Sequence, residues 1–254
     1  MERTMGLIRW LAVIAAICLV VGALLFLGLS RNVFVAEPRF PNDADLPTRL
    51  LGSIAARQAS WPFDFASSLL FAVAFGALAI VGRLLASVGP AGDGRSNVIG
   101  STLFGGGLLV VASQLIHIGS QQVAIDVPYC DCGFKVQETI SQYWGLTLIQ
   151  GAESWLVNGG TVLVAIGVVT AGVVLVGAIR SPAWQLASWL TGLVAIVSVV
   201  LSGLELGGDL NQVLVAVTAG VLLPLWAILL AMRIGQAAGT ERDPVVEGEP
   251  VGSR

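Results

Sequence analysis

Long apolar runs alternate with short polar connections along this chain, and the pattern predicts an all-α membrane protein. About twenty helical residues, at a rise of about 1.5 Å each, cross the ~30 Å hydrocarbon core of a bilayer. Six runs meet that length, and we predict that they form a bundle of six transmembrane helices within one domain, residues 1–235. The predicted spans cover residues 10–29, 65–85, 98–118, 155–179, 184–204 and 212–232. The polar stretch that follows, 236–254, is predicted to be a disordered cytoplasmic tail.

Two of the polar connections contain amphipathic patterns with helical spacing. Between the first two spans, Leu46, Leu50 and Ile54 share one helical face. Between the third and fourth spans, Val136 and Ile140 begin a similar pattern. Segments of this kind lie in the interface of a bilayer with their apolar face towards the lipid. We therefore predict two short amphipathic helices in the outer connections.

Composition agrees with the membrane class and excludes a nucleic-acid partner. The chain has 254 residues, of which 56% are hydrophobic and 11% charged, whereas soluble domains carry about 25% charged residues. Its mean hydropathy is +0.86. The net charge is −3 and the thirteen basic residues are scattered, which disfavours nucleic-acid binding. The predicted partners are the lipid bilayer and a protein, or a second copy of the chain, within the membrane. No cofactor is predicted.

The distribution of basic residues predicts the orientation. Cytoplasmic connections of membrane proteins are enriched in Lys and Arg. One set of connections holds eight basic residues and the other set holds five. The larger set is Arg3, Arg9, Arg83, Arg95, Arg180, Arg233, Arg242 and Arg254. This distribution places both termini in the cytoplasm and the cysteine-containing connection outside.

The connection after the third span contains two cysteines separated by one residue, Cys130 and Cys132. On the oxidising side of a membrane they are candidates for a disulfide, and the small strained ring that they would close is typical of labile, redox-active disulfides. The alternatives are a structural disulfide or inert thiols in the loop, intermolecular pairing, or a metal site completed by His117 with Asp126 or Asp131. The spacing is shorter than that of common zinc sites, which disfavours the metal.

His117 is the only histidine, and it lies near the outer end of the third predicted span. It is either a proton-handling group or ligand, or a polar interface residue hydrogen-bonded to a neighbouring helix. Four carboxylates also lie near outer helix ends, and we interpret them as interfacial groups that face water: Asp64, Glu153, Glu205 and Asp209. A single histidine excludes bis-histidine haem, and no catalytic set is visible, so the sequence argues against an enzyme and yields no catalytic residues.

Polar residues inside the predicted spans are few, and they form no repeating stripe of the kind that lines an aqueous pore. Most of them can bond to their own helix backbone. These residues are Ser67, Ser68, Thr102, Ser113, Asn158, Thr161, Thr170, Thr191, Ser198, Ser202 and Thr218. The many glycines in the spans predict close helix packing instead.

The second half of the chain contains a recurring combination of motifs. A glycine-rich run, GVVLVGAIRS, is followed by Pro182 and Trp184, then by Trp189-Leu190-Thr191-Gly192, and finally by Leu223-Pro224-Leu225-Trp226. The pattern resembles the bacterial membrane proteins of domain of unknown function family 4386. The resemblance covers residues 8–235 except the cysteine connection. It implies a six-helix fold in a bacterial plasma membrane, and no known activity.

Three functions remain open from the sequence. The first is a structural or interaction protein of the plasma membrane, favoured by the lack of a catalytic set and of a polar pore. The second is a thiol-redox or metal-binding membrane protein that uses Cys130 and Cys132. The third is a small-solute transporter with Glu153 and Glu205 lining an outer vestibule. The third function requires a cavity that reaches the middle of the bundle.

Overall fold

The structure is a computed structural model, and it is entirely helical apart from turns over the residues that it describes. Those residues are 2–30, 33–35, 41, 46–88, 94–126, 136–177, 179, 181–204 and 208–237. The helices are α1 Glu2–Ser30, α2 Leu46–Val88, α3 Gly94–Asp126, α4 Val136–Val174, α5 Pro182–Gly203, α6 Gly208–Val217 and α7 Leu223–Ala237. A π-helical turn, Thr218–Leu222, joins α6 to α7, so that these three segments form one sixth span.

Six helices are long and apolar enough to cross a membrane, which confirms the predicted all-α, six-span architecture over the described residues. Helix α4 ends at Val174, inside the predicted fourth span, which runs to residue 179. In the sixth span, Pro224 follows the π-helical turn. A π-helical turn is a common way to accommodate a proline, which has no N–H for the regular hydrogen bond. Beyond residue 237 the predicted tail lies outside the described residues.

The two predicted amphipathic helices are not separate elements. Each is the first part of a spanning helix, because α2 has 43 residues and α4 has 39. Pro62 lies inside α2 without ending it. At about 1.5 Å per residue these helices are about 65 and 58 Å long, roughly twice the hydrocarbon core. Their amino-terminal parts therefore extend beyond the bilayer on one side, together with the carboxyl-terminal part of α3. We call this side the His117 end.

The helices form a ring in which each packs against the next along the chain. Helix α2 contacts α1 and α3, α4 contacts α3 and α5, and α5 contacts the sixth span. The ring closes where α1 packs against α7 and the π-helical turn. All connections are between neighbours, as is usual for antiparallel helices joined by short links.

Helix α3 approaches both of its neighbours closely because it carries consecutive glycines. A Cβ atom on Gly106 would lie 2.7 Å from the carbonyl oxygen of Gly160 in α4. A Cβ atom on Gly107 would lie 2.6 Å from the carbonyl oxygen of Phe75 in α2. These separations are too short for any side chain, so the glycines allow backbone-to-backbone packing on two sides of α3.

A tryptophan pair joins α5 to α7 at the opposite end of the bundle. Trp184 and Trp226 are both fully buried, and their ring centroids lie 6.2 Å apart with an interplanar angle of 26°. The indole Nε1–H of Trp226 donates to Ser188 Oγ at 3.0 Å, and that hydroxyl donates to the carbonyl oxygen of Trp184 at 2.9 Å. Helix α5 begins just before this pair, with Ser181 as its amino-terminal cap and Pro182 as its first residue.

The outward faces of the bundle are apolar. Trp155 is 81% exposed and Trp10 is 70% exposed, and large aliphatic side chains lie exposed on every span. A soluble monomer does not expose apolar surface on this scale. Lipid contact accounts for this surface, in agreement with an integral membrane protein.

Candidate functional site

Three antiparallel helices bring together three ionisable side chains at the His117 end. Asp64 lies near the start of the membrane-spanning part of α2, His117 near the end of α3, and Glu153 near the start of that part of α4. Because α3 runs antiparallel to both neighbours, these positions lie at the same level of the bundle. We refer to Asp64, His117 and Glu153 as the carboxylate–histidine cluster.

The imidazole of His117 lies between the two carboxylates. Its Nδ1 is 2.9 Å from Glu153 Oε1, and its Nε2 is 3.0 Å from Asp64 Oδ2. The side chains are partly buried, with exposed fractions of 24% for His117, 29% for Asp64 and 21% for Glu153. The cluster is therefore shielded from bulk water but not sealed from it.

Hydrogen-bond chemistry fixes the number of protons that these contacts need. An ionised carboxylate only accepts, so two ionised carboxylates require both ring nitrogens to donate, as in imidazolium. If the ring is neutral, one of its nitrogens accepts and the facing carboxyl group must carry the proton. Both arrangements contain two protons and a net charge of −1. A third proton, or the loss of one, breaks or weakens a contact between helices.

Backbone contacts hold the cluster in register. Ser113 Oγ, one turn before His117, donates to the carbonyl oxygen of Glu153 at 3.1 Å and joins α3 to α4. Ser120 Oγ donates to the carbonyl oxygen of His117 at 2.9 Å. Pro62 precedes Asp64 by two residues in α2 and removes one backbone donor there. The hydrogen bond of Ser113 thus supports the α3–α4 contact through the backbone of α4.

The geometry of the cluster bears on both interpretations of His117, as a proton-handling group and as a polar residue bonded to a neighbouring helix. Its hydrogen bonds to neighbouring helices confirm the interface interpretation, and its carboxylate partners are compatible with proton handling. Asp64 and Glu153, which we interpreted as interfacial groups that face water, are partly exposed, and both contact the same imidazole. Glu205 and the side chain of Asp209 lie outside the described part of the chain.

The cluster is not a metal site as it stands. The two carboxylates occupy opposite edges of the imidazole ring, so no single point lies within coordination distance of both and of a ring nitrogen. Within the described ranges, no group of three or more His, Cys, Asp and Glu side chains could hold a metal ion. Cys130 and Cys132 lie outside the described residues, so their predicted disulfide, redox or metal role with His117 stays a prediction.

We expect the single histidine to report the cluster directly by ring-¹⁵N NMR, since a labelled, tag-free protein contains one imidazole. Asp64→Asn should change mainly the Nε2 signal, and Glu153→Gln mainly the Nδ1 signal, because each carboxylate contacts one nitrogen. Spectra of the two variants and of the wild type, recorded in the same nanodiscs at one pH, measure this difference. A Ser101→Ala variant, which changes an exposed hydroxyl of α3, should give the wild-type spectrum. Identical spectra for all four proteins would show that the contacts are not formed.

A cavity of about 130 Å³ lies within the bundle, beginning one helical turn from the cluster. Gln114 of α3, three residues before His117, belongs to its wall. Its other polar wall residues include Asn158 and Thr161 of α4, Thr191 of α5 and Thr218 of the π-helical turn. Thr161 and Thr191 lie close to the middle of their spans.

The close helix packing that the glycines predict is present between α3 and its two neighbours, and the cavity lies beside it, between α2, α3, α4, α5 and the sixth span. No polar stripe is visible in the sequence because the polar wall residues come from four different spans, with one or two residues from each. The requirement that we set for a transporter, a cavity that reaches the middle of the bundle, is met.

No family model, no curated protein and no solved structure matches this chain. The resemblance of its second half to domain of unknown function family 4386 stays a prediction.

Proposed function

We propose that this protein is a proton-linked carrier of a small solute, with the carboxylate–histidine cluster as its proton-handling group. The observation that carries the proposal is the position of His117 between Asp64 and Glu153, three ionisable groups from three spans. Ionisable side chains within spans are costly and rare, and they commonly mark ion or proton pathways.

The arrangement of the cluster supports coupling between protonation and helix movement. Because every contact of His117 in the cluster joins two helices, adding or removing one proton changes the attraction of α3 for α2 or for α4. A carrier needs such a link between its ion and its helix packing. The partial exposure of the cluster gives protons access from the His117 end.

The setting that we propose is a bacterial plasma membrane with both termini in the cytoplasm. The eight basic residues of one set of connections, against five in the other, support this orientation. The His117 end then faces the outside of the cell. The lipid bilayer is its surrounding partner, and a second copy of the chain within the membrane is compatible with the exposed apolar faces.

Proteoliposomes that contain a trapped pH-sensitive dye test the proposal. A panel of small solutes, grouped as uncharged, anionic and cationic, is added under an inward proton gradient. We expect at least one group to accelerate proton entry into vesicles with the wild-type protein. Because the cluster needs two protons for its contacts, His117→Gln should reduce the solute-dependent rate at least tenfold.

Ser101→Ala is the matched control, because its hydroxyl bonds only to carbonyl oxygens of its own helix. It should keep the wild-type rate. An equal solute-dependent rate in His117→Gln and wild type would remove the cluster from the proposal. No solute-dependent proton movement in any protein would reject the carrier.

A structural or interaction protein is the second candidate function, and the close glycine packing of α3 against α2 and α4 favours it. In that case the cluster acts as a polar tie between three helices, and the solute panel produces no proton movement. The thiol-redox or metal alternative depends on Cys130 and Cys132, which lie outside the described residues, so no contact supports it.

A further inference from the structure

We infer that the cavity is a binding site for one small uncharged molecule that has a compact apolar body and one or two hydrogen-bonding groups. The assignment of this molecule as the transported solute rests on the proposed function. The inference of a binding site does not depend on that function, because it is drawn from the residues of the cavity wall.

Thr191 provides the polar observation that points to a ligand. The residue is 1% exposed and lines the cavity, and its Oγ1 has no hydrogen-bond partner among the described residues. Threonines in helices commonly bond to the carbonyl oxygen four residues earlier. Thr102, Thr170 and Thr218 do so here, at 2.6, 2.7 and 2.8 Å. A buried hydroxyl without a partner is costly, and a ligand in the cavity would satisfy it.

The size of the cavity limits the molecule. An engineered apolar cavity of ~150 Å³ in another protein binds benzene. A volume of about 130 Å³ therefore fits a compact molecule of about six to eight non-hydrogen atoms. Larger solutes, such as lipids and peptides, are excluded without movement of the helices.

The wall selects an uncharged and partly apolar molecule. Phe71 and Phe75 of α2 provide aromatic surface, and Val164 and Leu223 provide aliphatic surface. None of the described wall residues is ionisable, so a buried charge on the ligand would have no counter-charge. The amide of Gln114 can both donate and accept a hydrogen bond. An alcohol, phenol or primary amide on a small apolar body matches this set.

The backbone of the sixth span departs from regular α-helical geometry next to the cavity. The π-helical turn, Thr218–Leu222, begins at a wall residue, and π-helical turns inside α-helices are frequent at functional sites. Pro224 follows directly and leaves one carbonyl oxygen of the sixth span without its regular helical donor. The regular helical hydrogen-bond pattern of the sixth span is thus interrupted beside the cavity.

Ligand-observed ¹⁹F NMR with 4-fluorophenol, which is within the size limit set by the cavity, tests the site in nanodiscs that contain the full-length protein. Empty nanodiscs measure partition into lipid, which does not saturate. We expect a saturable component with the wild type, displaced by benzyl alcohol but not by benzylammonium, because the charged group has no partner in the cavity. Toluene, which lacks the hydroxyl, should compete at least fivefold more weakly.

Substitutions at two threonines separate binding in the cavity from general effects of losing a hydroxyl group. Thr191→Val keeps the side-chain shape and removes the hydroxyl, and it should weaken binding about tenfold, as expected for one lost hydrogen bond. Thr170→Val removes a hydroxyl that bonds to Ile166 of its own helix, outside the cavity, and should bind as the wild type does. Ala195→Leu fills the cavity and should abolish saturable binding.

A wild-type signal that never saturates would overturn the proposal, and so would equal affinities in Thr191→Val and the wild type. If Ala195→Leu does not fold, the comparison of Thr191→Val with Thr170→Val still tests whether the cavity binds the probe. Saturable binding without proton movement in the vesicle assay keeps the site and rejects the carrier. Proton movement with a solute but without saturable probe binding keeps the carrier and rejects this site.

Discussion

Gly160→Ala lowers the stability of the bundle by about 1–3 kcal/mol, while Gly159→Ala leaves it unchanged or raises it. A Cβ atom at residue 160 would lie 2.7 Å from the carbonyl oxygen of Gly106 and 2.8 Å from Val110 Cγ2. The carbonyl oxygen is backbone, so α3 and α4 must separate to admit the methyl group. A Cβ atom at residue 159 meets nothing within 4 Å. There, alanine only improves helix propensity, by up to about 1 kcal/mol.

The two substitutions are chemically identical and adjacent, so each controls for expression, detergent and helix propensity. Thermal unfolding, or unfolding by a denaturing detergent, measured under one set of conditions gives the difference. The loss from Gly160→Ala should also appear in His117 ring-¹⁵N signals, because α4 carries Glu153 towards α3. Equal stabilities of the two variants would mean that α3 and α4 pack less closely than the structure shows.

The second large effect is a rescue within the carboxylate–histidine cluster. His117→Gln should cost about 1–3 kcal/mol of stability, since it leaves Asp64 and Glu153 partly buried without the imidazole that joins them. The groups are 21–29% exposed, so solvent screening keeps the cost below that of a sealed ion pair. Adding Asp64→Asn and Glu153→Gln to His117→Gln should restore part of the loss, because neutral amides have lower desolvation costs and do not repel each other.

A complete mutant cycle measures this coupling, with the wild type, His117→Gln, Asp64→Asn/Glu153→Gln and the triple variant unfolded under the same conditions. We expect an interaction free energy of about 0.5–3 kcal/mol, in the direction that makes the triple variant more stable than His117→Gln. Strictly additive losses would show that the three side chains act independently. That result would also weaken the proposed proton-handling role.

The number of spans and their approximate positions could be predicted from the sequence, because the apolar runs have the length that a bilayer requires. The continuity of α2 and α4 could not. Between Ile54 and Phe65, and between Tyr143 and Trp155, the sequence becomes polar without becoming non-helical. A hydropathy pattern indicates where a helix leaves the lipid, but it does not indicate where the helix itself ends.

The site was predictable in its parts and not in its assembly. Asp64, His117 and Glu153 each stand out as ionisable groups near helix ends. Their meeting depends on the rotation of three helices about their axes, which glycine contacts such as that of Gly106 with Gly160 set. The cavity was hidden for the same reason, since its polar wall is distributed over four spans.

The closure of the ring by α1 and α7 has a consequence for how the protein is made. Helices enter the membrane in chain order, so α1 must wait with only one of its partners until the last span arrives. Until then the side of α1 that packs against the sixth span, where Ala23 lies beside Gly220, would face lipid chains that fill such a closely packed surface poorly. A chain without its sixth span would therefore leave this side of α1 without its packing partner.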